Sequence, residues 1–375
     1  MKIAIICPYD YKNPGGVQIH IRDCAKELSN LGHEITVISP RTEADQSNTK
    51  DHVTFGYSRK FTFNKTNFDI SFVYGAEYKK LKFFLKNNEF EIIHYHTIWT
   101  PFLPLQILYL SKSKNVATFH DTPPDNFSGN LTRLLFRFAS IIISRYLDAI
   151  IVVSDTPMEH LSKNINKTIH VIPPCTDLKR FSPDNLPLIK KTGNKIDILF
   201  FGRLDQRKGI FILLEAFKKI IRDGIEARLL VAGTGHEQSR LVHYLEKEKL
   251  DTIKFIGRIA DKDKPSLYTS CDLFCSPALY GESFGIVLVE AMASGKPVVA
   301  AANKGYRLLL QEQSEYCLTT PGDSEDLYLK LKKLVLDKKL REELGAWGLR
   351  KSKQYDCEQI IPEILDIYKE TLNFK

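Results

Sequence analysis

Short, uninterrupted apolar runs alternate along the chain with longer stretches in which apolar residues recur every three or four positions. KIAIIC (2–7) is such a run. GVQIHIRDCAKELSNLG (16–32) has helical spacing and ends at Gly32, and EITVIS (34–39) is the next run. Together they predict a βαβ unit. EIIHYH (91–96), NVATFH (115–120) and AIIVVS (149–154) read as further strands. Runs without polar interruption are typical of parallel strands covered on both faces.

The alternation breaks at 171–195, VIPPCTDLKRFSPDNLPLIKKTGNK, a polar stretch with four prolines. It then restarts: IDILFFG (196–202), a helix over 210–222, ARLLVAG (227–233), a helix over 237–248, IKFIG (253–257), CDLFCS (271–276), a helix over 285–294 and PVVAA (297–301). From Asp323, a candidate N-cap, the tail is helical. The expected fold class is therefore α/β, with two doubly wound Rossmann-like domains facing a cleft. The expected division is a domain over 1–172, a linker over 173–195, a second domain over 196–355 and a last helix over 356–375.

Bulk properties narrow the function. A chain of 375 residues with 43% hydrophobic and 26% charged residues suits two soluble globular domains. No apolar run approaches the roughly 18 residues of a membrane span, and the run opening the chain is too short for a signal-peptide core. A cytoplasmic protein is expected. The seven cysteines are scattered with no CxxC pair, so disulfides and thiolate metal sites are not expected. The net charge of +8 is spread along the chain rather than in a dense block. That fits an anionic small molecule or an anionic membrane surface. Aromatics interleaved with basic runs, which a nucleic-acid partner would favour, are not evident.

Several stretches carry candidate chemistry. GESFGIVLVEAMASGKPVVAA (281–301) holds Glu282 and Glu290, eight positions apart. With Ser283 as N-cap and a helix from Gly285 to Ala293, the N–H groups of Phe284, Gly285 and Ile286 form an anion-binding end. Carboxylate, anion site and carboxylate then follow one edge, an order suited to a sugar hydroxyl, a diphosphate and a ribose diol. The plainer alternative is a polar loop and one exposed helical glutamate. FFGRLDQRKG (200–209) sets Arg203 and Lys208 on the turn after a strand, where open α/β sheets bind ligands, and these cations suit phosphate oxygens. A solvated basic turn is the alternative.

NPGGVQIH (13–20) brings Gly15 and Gly16 to the first strand–helix turn, where backbone can approach a ligand. It is not a GxGxxG fingerprint, and by itself a mere turn explains it. TFHDT (118–122) ends a strand with His120, a candidate hydrogen-bonding partner for substrate, beside Asp121. His94 and His96 share a sheet face, but no third ligand stands at convincing spacing, so no metal is expected. LTRLLFRFASIIISRY (131–146) has a narrow polar stripe of Arg133, Arg137, Ser140 and Ser144. A largely buried helix is the favoured reading over a membrane-surface one. YSRKFTFNK (57–65), basic and aromatic, reads either as a membrane contact or as an edge hairpin.

GRLDQRKG followed by GESFGIVLVEAMASGKPVVA, with seven residues between the glutamates, resembles glycosyltransferase family 4. The likeness extends from PGGVQIHI to the last helix. PGGVQIH, GYSRKFTFN, ATFHDT, the Arg-studded helix before IIVVS, and ESFGIVLVEAM (here with Tyr280 before Gly281) resemble most the phosphatidylinositol mannosyltransferase-like members. The resemblance implies a retaining enzyme of the GT-B fold that moves a hexose from a nucleoside diphosphate sugar to an acceptor hydroxyl. It implies no cofactor and no metal, with GDP-mannose as the leaning for donor and a UDP-sugar as the alternative. It implies C-terminal helices packed back on the N-terminal domain. A lipid, polyol or glycan acceptor and a peripheral place on the inner face of the cell membrane fit it.

By resemblance, Gly16 faces the diphosphate and His120 the transferred sugar. Arg203 and Lys208 hold the phosphates, Glu282 the sugar hydroxyls, and Phe284 and Gly285 backbone lies on sugar and phosphate. Glu290 binds the ribose, and Gly233, Ile256, Ser283 and Ile286 complete the donor site. His120, Arg203, Lys208 and Glu282 are the candidate catalytic set. There are departures. Arg207 stands where many relatives carry Glu, PPCTD replaces the usual Asn-Gly before Asp177, and NKGYRLLL replaces a Gly-x-x-Glu element after PVVAA. Rival readings are a nucleotide-sugar epimerase, and a binding or membrane-docking module without catalysis.

Overall fold

A computed structural model describes residues 1–13, 15–42, 48–63, 66–99, 102–121, 127–191, 193–248 and 251–373. Pro14, Asn64, Lys65, Thr122 and Thr192, which belong to stretches singled out above, lie outside the described residues. The chain divides into two compact units, Met1–Thr176 with Cys357–Lys375, and Asp177–Asp356.

The first unit is built on an eight-stranded sheet. Its strands are β1 (Lys2–Ile6), β2 (Glu34–Arg41), β3 (His52–Phe63), β4 (Thr66–Phe72), β5 (Ile92–His96), β6 (Lys114–Phe119), β7 (Ala149–Val152) and β8 (Ile169–Val171). The order is β4-β3-β2-β1-β5-β6-β7-β8. Every pairing is parallel except the edge hairpin β3–β4. Residues 57–63 of the basic-aromatic YSRKFTFNK stretch belong to β3 of that hairpin.

Four helices lie between these strands: α1 (Gly16–Asn30), α2 (Gly75–Asn88), α3 (Leu103–Leu110) and α4 (Phe127–Ile143). Successive strand residues face opposite sides, and the core splits accordingly. Ile3, Ile5, Val37, Ile92 and Val116 pack with Ile21, Cys24 and Leu28 of α1. Ala4, Ile6, Ile38, Ile93 and Ala117 pack with Leu81 of α2 and Ile107 of α3. Strands sandwiched in this way must be apolar at nearly every position, which is why they read as unbroken runs.

The second unit has a six-stranded, all-parallel sheet: β9 (Ile196–Phe201), β10 (Ala227–Ala232), β11 (Ile253–Gly257), β12 (Leu273–Ser276), β13 (Val298–Ala301) and β14 (Leu318–Thr319), in the order β11-β10-β9-β12-β13-β14. Its helices are α5 (Ile210–Arg222), α6 (Gln238–Glu248), α7 (Lys264–Thr269), α8 (Ile286–Ala293), α9 (Lys304–Leu310), α10 (Ser314–Cys317), α11 (Ser324–Leu336) and α12 (Lys338–Ser352). In α5 the buried positions Ile210, Leu213, Leu214, Phe217 and Ile220 follow helical spacing. Asp323 caps α11 as expected, accepting from the N–H groups of Glu325 and Asp326.

The final helix, α13 (Cys357–Asn373), belongs to the first unit. Its Ile360, Ile361, Ile364 and Tyr368 join the core that contains β1 and α1. The stretch expected as a linker differs from that expectation. The division falls between Thr176 and Asp177, and Leu178, Phe181 and Ile189 are buried in the second unit's core. The prolines and polar residues that suggested a spacer interrupt regular structure without keeping the segment in solvent.

Candidate functional site

In each sheet the chain reverses its direction of growth beside the first strand. β10 and β11 build outward from one side of β9, and β12 starts on the other. Ligands of open α/β sheets bind at the carboxyl ends of strands flanking such a switch point. The loops leaving β9 and β12 here carry the two richest sequence motifs, 200–209 and 281–301.

The loop after β9 is held by its own residues. The Asp205 carboxylate accepts from the Lys208 N–H at 3.1 Å, and Gly209 closes the turn at φ +71°. A Cβ on Gly209 would stand 2.1 Å from the Pro277 carbonyl oxygen, so the turn lies directly against the backbone leaving β12. The Leu279 N–H donates to the Arg207 carbonyl at 2.8 Å and joins the two loops. This contact brings Arg207 Nη1 to 2.7 Å and Lys208 Nζ to 2.6 Å from one oxygen, Oε1 of Glu282. Arg207 also donates to the carbonyls of Tyr280 and Gly281, at 3.1 and 2.9 Å. Burial disfavours the charged form of Glu282, but the Lys208 and Arg207 charges outweigh it and hold the carboxyl below its ordinary range. Arg203 stands apart, with its side chain 68% exposed and 3.3 Å from Asp205.

Arg207 is the residue that sequence reasoning passed over; it was noted only as a departure, yet it forms half of the cationic pair on Glu282. Its signal was its place next to Lys208 on a tight turn.

The start of α8 corrects one expectation. The helix begins at Ile286, and its N-cap is Gly285 in the left-handed region, φ +114°, not Ser283. A Cβ on Gly285 would meet the Tyr306 ring at 2.8 Å, so the position excludes any side chain. Phe284 is buried and packs edge-on against Tyr355. Gly305, from the atypical NKGYRLLL stretch, lies so close that its Cβ would be 2.4 Å from the Glu282 carbonyl oxygen and 2.8 Å from the Phe284 nitrogen. That stretch therefore supports the backbone of the motif loop.

Glu290 is not the exposed helical glutamate of the plainer reading. It is wholly buried, with Oε1 at 3.1 Å from Lys264 Nζ and Oε2 accepting from the Tyr268 hydroxyl at 2.7 Å. Burial alone would lower the Lys264 pKa, but the Glu290 and Asp261 carboxylates outweigh it and raise it. Helical periodicity places Glu290 on a turn without revealing that Lys264 of α7 faces it. Gly233 follows β10 at φ +124°, where a Cβ would fall 1.8 Å from the Gly202 carbonyl oxygen, so it locks its loop against the one after β9. Ile256 is half-buried near the end of β11.

In the first unit the switch lies between β1 and β5. Gly16 opens α1 after β1, and a Cβ there would meet nothing within 4 Å. His96 ends β5 and His120 follows β6; His96 Nδ1 and His120 Nε2 are 2.9 Å apart. The His94 nitrogens are taken by Tyr368, at 2.6 Å, and Thr118, at 2.7 Å. Burial drives the pKa of His20 down to about 4 and of His94 to about 3, and those of His96 and His120 well below the ordinary value. The imidazoles are therefore neutral near pH 7.

The polar stripe of the 131–146 segment is divided: Ser140 and Ser144 are buried, Arg133 is half-buried and Arg137 is exposed. Arg133 pairs with Glu159 at 3.0 Å, and Arg137 Nε donates to the Glu159 carbonyl at 2.9 Å. Leu134, Leu135 and Phe138 are 65%, 60% and 68% exposed, so the favoured expectation of a largely buried apolar surface is corrected. No helix among the described residues is long and apolar enough to cross a membrane.

Two family models match, in tandem: Glycosyltransferase Family 4 over residues 14–180 and Glycosyl transferases group 1 over residues 185–350. The chain is 30% identical to the phosphatidyl-myo-inositol mannosyltransferase of Mycobacterium tuberculosis, covering 98% of this chain and 97% of that one. Among solved structures it shares the fold of sucrose-phosphate synthase from Thermosynechococcus elongatus, with TM-score 0.78, 21% identity and 98% of both chains covered. It also shares the fold of Anabaena HepE in complex with UDP-glucose, with TM-score 0.75, 20% identity, and 99% and 100% of the two chains covered. With two Rossmann-like parallel sheets and matches spanning nearly its whole length, the chain belongs to glycosyltransferase family 4 and is a hexose-transferring enzyme of the GT-B fold.

Proposed function

We propose that the enzyme moves mannose from GDP-mannose to a hydroxyl of a lipid-linked acceptor, with retention of anomeric configuration and without a metal ion. The observation that carries this reading is the Arg207–Lys208 pair gathered on Glu282 at the switch point of the second unit. Two cations beside the end of α8 suit a diphosphate, and they stabilise it as it departs and gains charge. Arg203, exposed at the same loop, supplies a third cation. Glu282, relieved of one cation as phosphate arrives, is available to sugar hydroxyls. Glu290 binds the ribose by exchanging its Tyr268 or Lys264 partner. Phe284, Gly285, Ser283 and Ile286 line the same edge, with Gly233 and Ile256 at the neighbouring strand ends.

His120 orients the transferred sugar and Gly16 lets backbone approach the diphosphate. No carboxylate is set up as a covalent nucleophile in this reading. The acceptor attacks from the leaving-group face, and its proton passes to the departing phosphate oxygen.

The donor leaning rests on the mannosyltransferase relative, and the lipid leaning on that relative together with the outward Leu134, Leu135 and Phe138. An apolar row carried on a basic chain fits peripheral attachment to an anionic membrane, on its cytoplasmic face. A UDP-sugar donor is the second reading, favoured by the fold shared with a UDP-glucose complex.

Thermal unfolding with GDP, UDP, ADP and their sugar conjugates, in chelator, tests the donor. Ligand binding to the folded state raises the midpoint. A shift by GDP and GDP-mannose alone is expected. A shift by uridine compounds alone overturns the mannosyl reading, and no shift at millimolar ligand overturns the donor site. Lys208→Ala should lower turnover by about a hundredfold, the scale of one lost charge-stabilising group, and retain the fold. Unchanged turnover would rule out its phosphate role.

A further inference from the structure

His94 and His96 stand two apart on β5, yet they do not act as a pair of ligands. Both His94 nitrogens are committed, to Tyr368 and to Thr118. The partners of His96 come from elsewhere in the first unit: His20 from α1 and His120 from the residue after β6. One ring nitrogen from each of His20, His96 and His120 lies within 4.8 Å of the other two. The ring centroids are 5.2 to 5.3 Å apart.

Three features distinguish this cluster from ordinary packing of histidines. First, His20 Nδ1 faces the Cys175 carbonyl oxygen at 3.3 Å. With Nδ1–H donating there, Nε2 presents its lone pair, the arrangement a second-layer carbonyl imposes on metal-ligating histidines. Second, His96 is wholly buried and its Nδ1 stands 2.9 Å from His120 Nε2, so lone pairs from two strand ends converge on one point. Third, among the described residues no carboxylate belongs to the cluster. Three neutral imidazoles form a set that favours zinc, cobalt, nickel or copper over magnesium or calcium.

We propose that His20, His96 and His120 form a binding site for a divalent transition cation of the zinc class. Zinc–nitrogen bonds of about 2.0–2.1 Å in a tetrahedron require nitrogens roughly 3.4 Å apart. The 2.9 Å contact between His96 and His120 and the 4.8 Å limit of the cluster bracket that value, so small side-chain rotations suffice. The cation takes the place of the proton shared between His96 and His120, and water fills the fourth position. Binding is not part of the transfer chemistry. It ties up His120, so on the reading given above, in which His120 faces the sugar, zinc inhibits transfer, and chelator restores it.

The test is titration of chelator-stripped, full-length protein with Co2+, followed by visible absorption and by metal content after dialysis. One equivalent with the intense bands of tetrahedral cobalt is expected, displaced by Zn2+. His20→Gln and His96→Gln, each checked for fold by circular dichroism, should each weaken binding at least tenfold. Absence of the tetrahedral spectrum, its retention in both folded variants, or a thiolate-to-cobalt band assigning the metal to cysteine would overturn the proposal. The transfer assay separates the two readings. Stoichiometric cobalt binding without inhibition supports the metal site and counts against the sugar-facing role of His120, whereas inhibition that both variants relieve supports both.

Discussion

Replacing Glu282 by Gln tests the central cluster most directly. The change keeps the shape and a carbonyl acceptor, and removes the charge that two cations share. At an effective dielectric of about 20, attractions at 2.7 and 2.6 Å are each worth about 6 kcal/mol gross. Desolvation offsets most of this: the side chains of Glu282, Lys208 and Arg207 are 13%, 15% and 23% exposed. Breaking such a largely buried set by removing one member costs about 3–5 kcal/mol. In a unit of this size each kcal/mol moves the melting midpoint by about 2–4 °C, so Glu282→Gln should lower it by roughly 6–20 °C at neutral pH and low salt. The sign with pH follows from the depressed Glu282 pKa. The charge contribution is complete above the ordinary carboxyl value of 4.5 and is lost as pH falls through the lower folded value. The gap between parent and variant should therefore persist at pH 5 and close only in stronger acid. A nucleoside diphosphate carries negative charge to the same cations, so GDP should raise the variant's midpoint by more than it raises the parent's, while transfer falls about a hundredfold. Calorimetry with and without nucleotide reads all three. A midpoint within 2 °C of the parent, or a smaller nucleotide effect in the variant, would refute an electrostatically coupled phosphate site.

Lys264→Met should cost about 3–5 kcal/mol because it leaves Glu290 buried without a counter-charge. Lys264→Met with Glu290→Leu should recover at least half of that in denaturant unfolding, and a double variant no more stable than the single would show that the pair is not self-contained. Glycines at the two strand–helix turns should behave oppositely. Gly233→Ala puts a Cβ 1.8 Å from a carbonyl oxygen at φ +124° and should lose at least about 3 kcal/mol by thermal unfolding. Gly16→Ala meets nothing within 4 Å, so it should unfold like the parent. Loss of donor affinity in that stable variant would report close approach of a ligand, and full affinity would remove Gly16 from the site.

What could be read from the chain depended on how local its cause was. The strands of both sheets were legible because burial on two faces forces an unbroken apolar run, and α5 because one buried face forces helical spacing. The Glu-x7-Glu stretch and the basic turn were legible as chemistry because each fits within one loop and its helix. Relations between elements were not. Nothing near Glu290 in sequence announces Lys264 or Tyr268, which stand 26 and 22 residues away. Arg207 looked like an exception until the turn at Gly209 set it on Glu282. The segment at 173–195 looked like a spacer because proline and polarity mark the absence of regular structure, which is a different property from absence of packing.

Two features show how the misleading signals arose. In α4 a polar stripe usually marks the solvent side, since charged groups seek water. Here Glu159 and its carbonyl hold Arg133 and Arg137 against the short helical turn that follows β7, so the stripe shares one side with buried Ser140 and Ser144 while Leu134, Leu135 and Phe138 remain exposed. The histidines follow the same logic at shorter range. The spacing of His94 and His96 suggested a pair with no third member, because periodicity counts only neighbours on one strand. The third imidazole arrives from α1, 76 residues before His96 in the chain, and β6 supplies the other. A parallel sheet brings the carboxyl ends of β1, β5 and β6 to one side whatever their separation in sequence. Residues placed just beyond those ends are thus gathered by topology, and chemistry assembled in this way can be found only once the strand order is known.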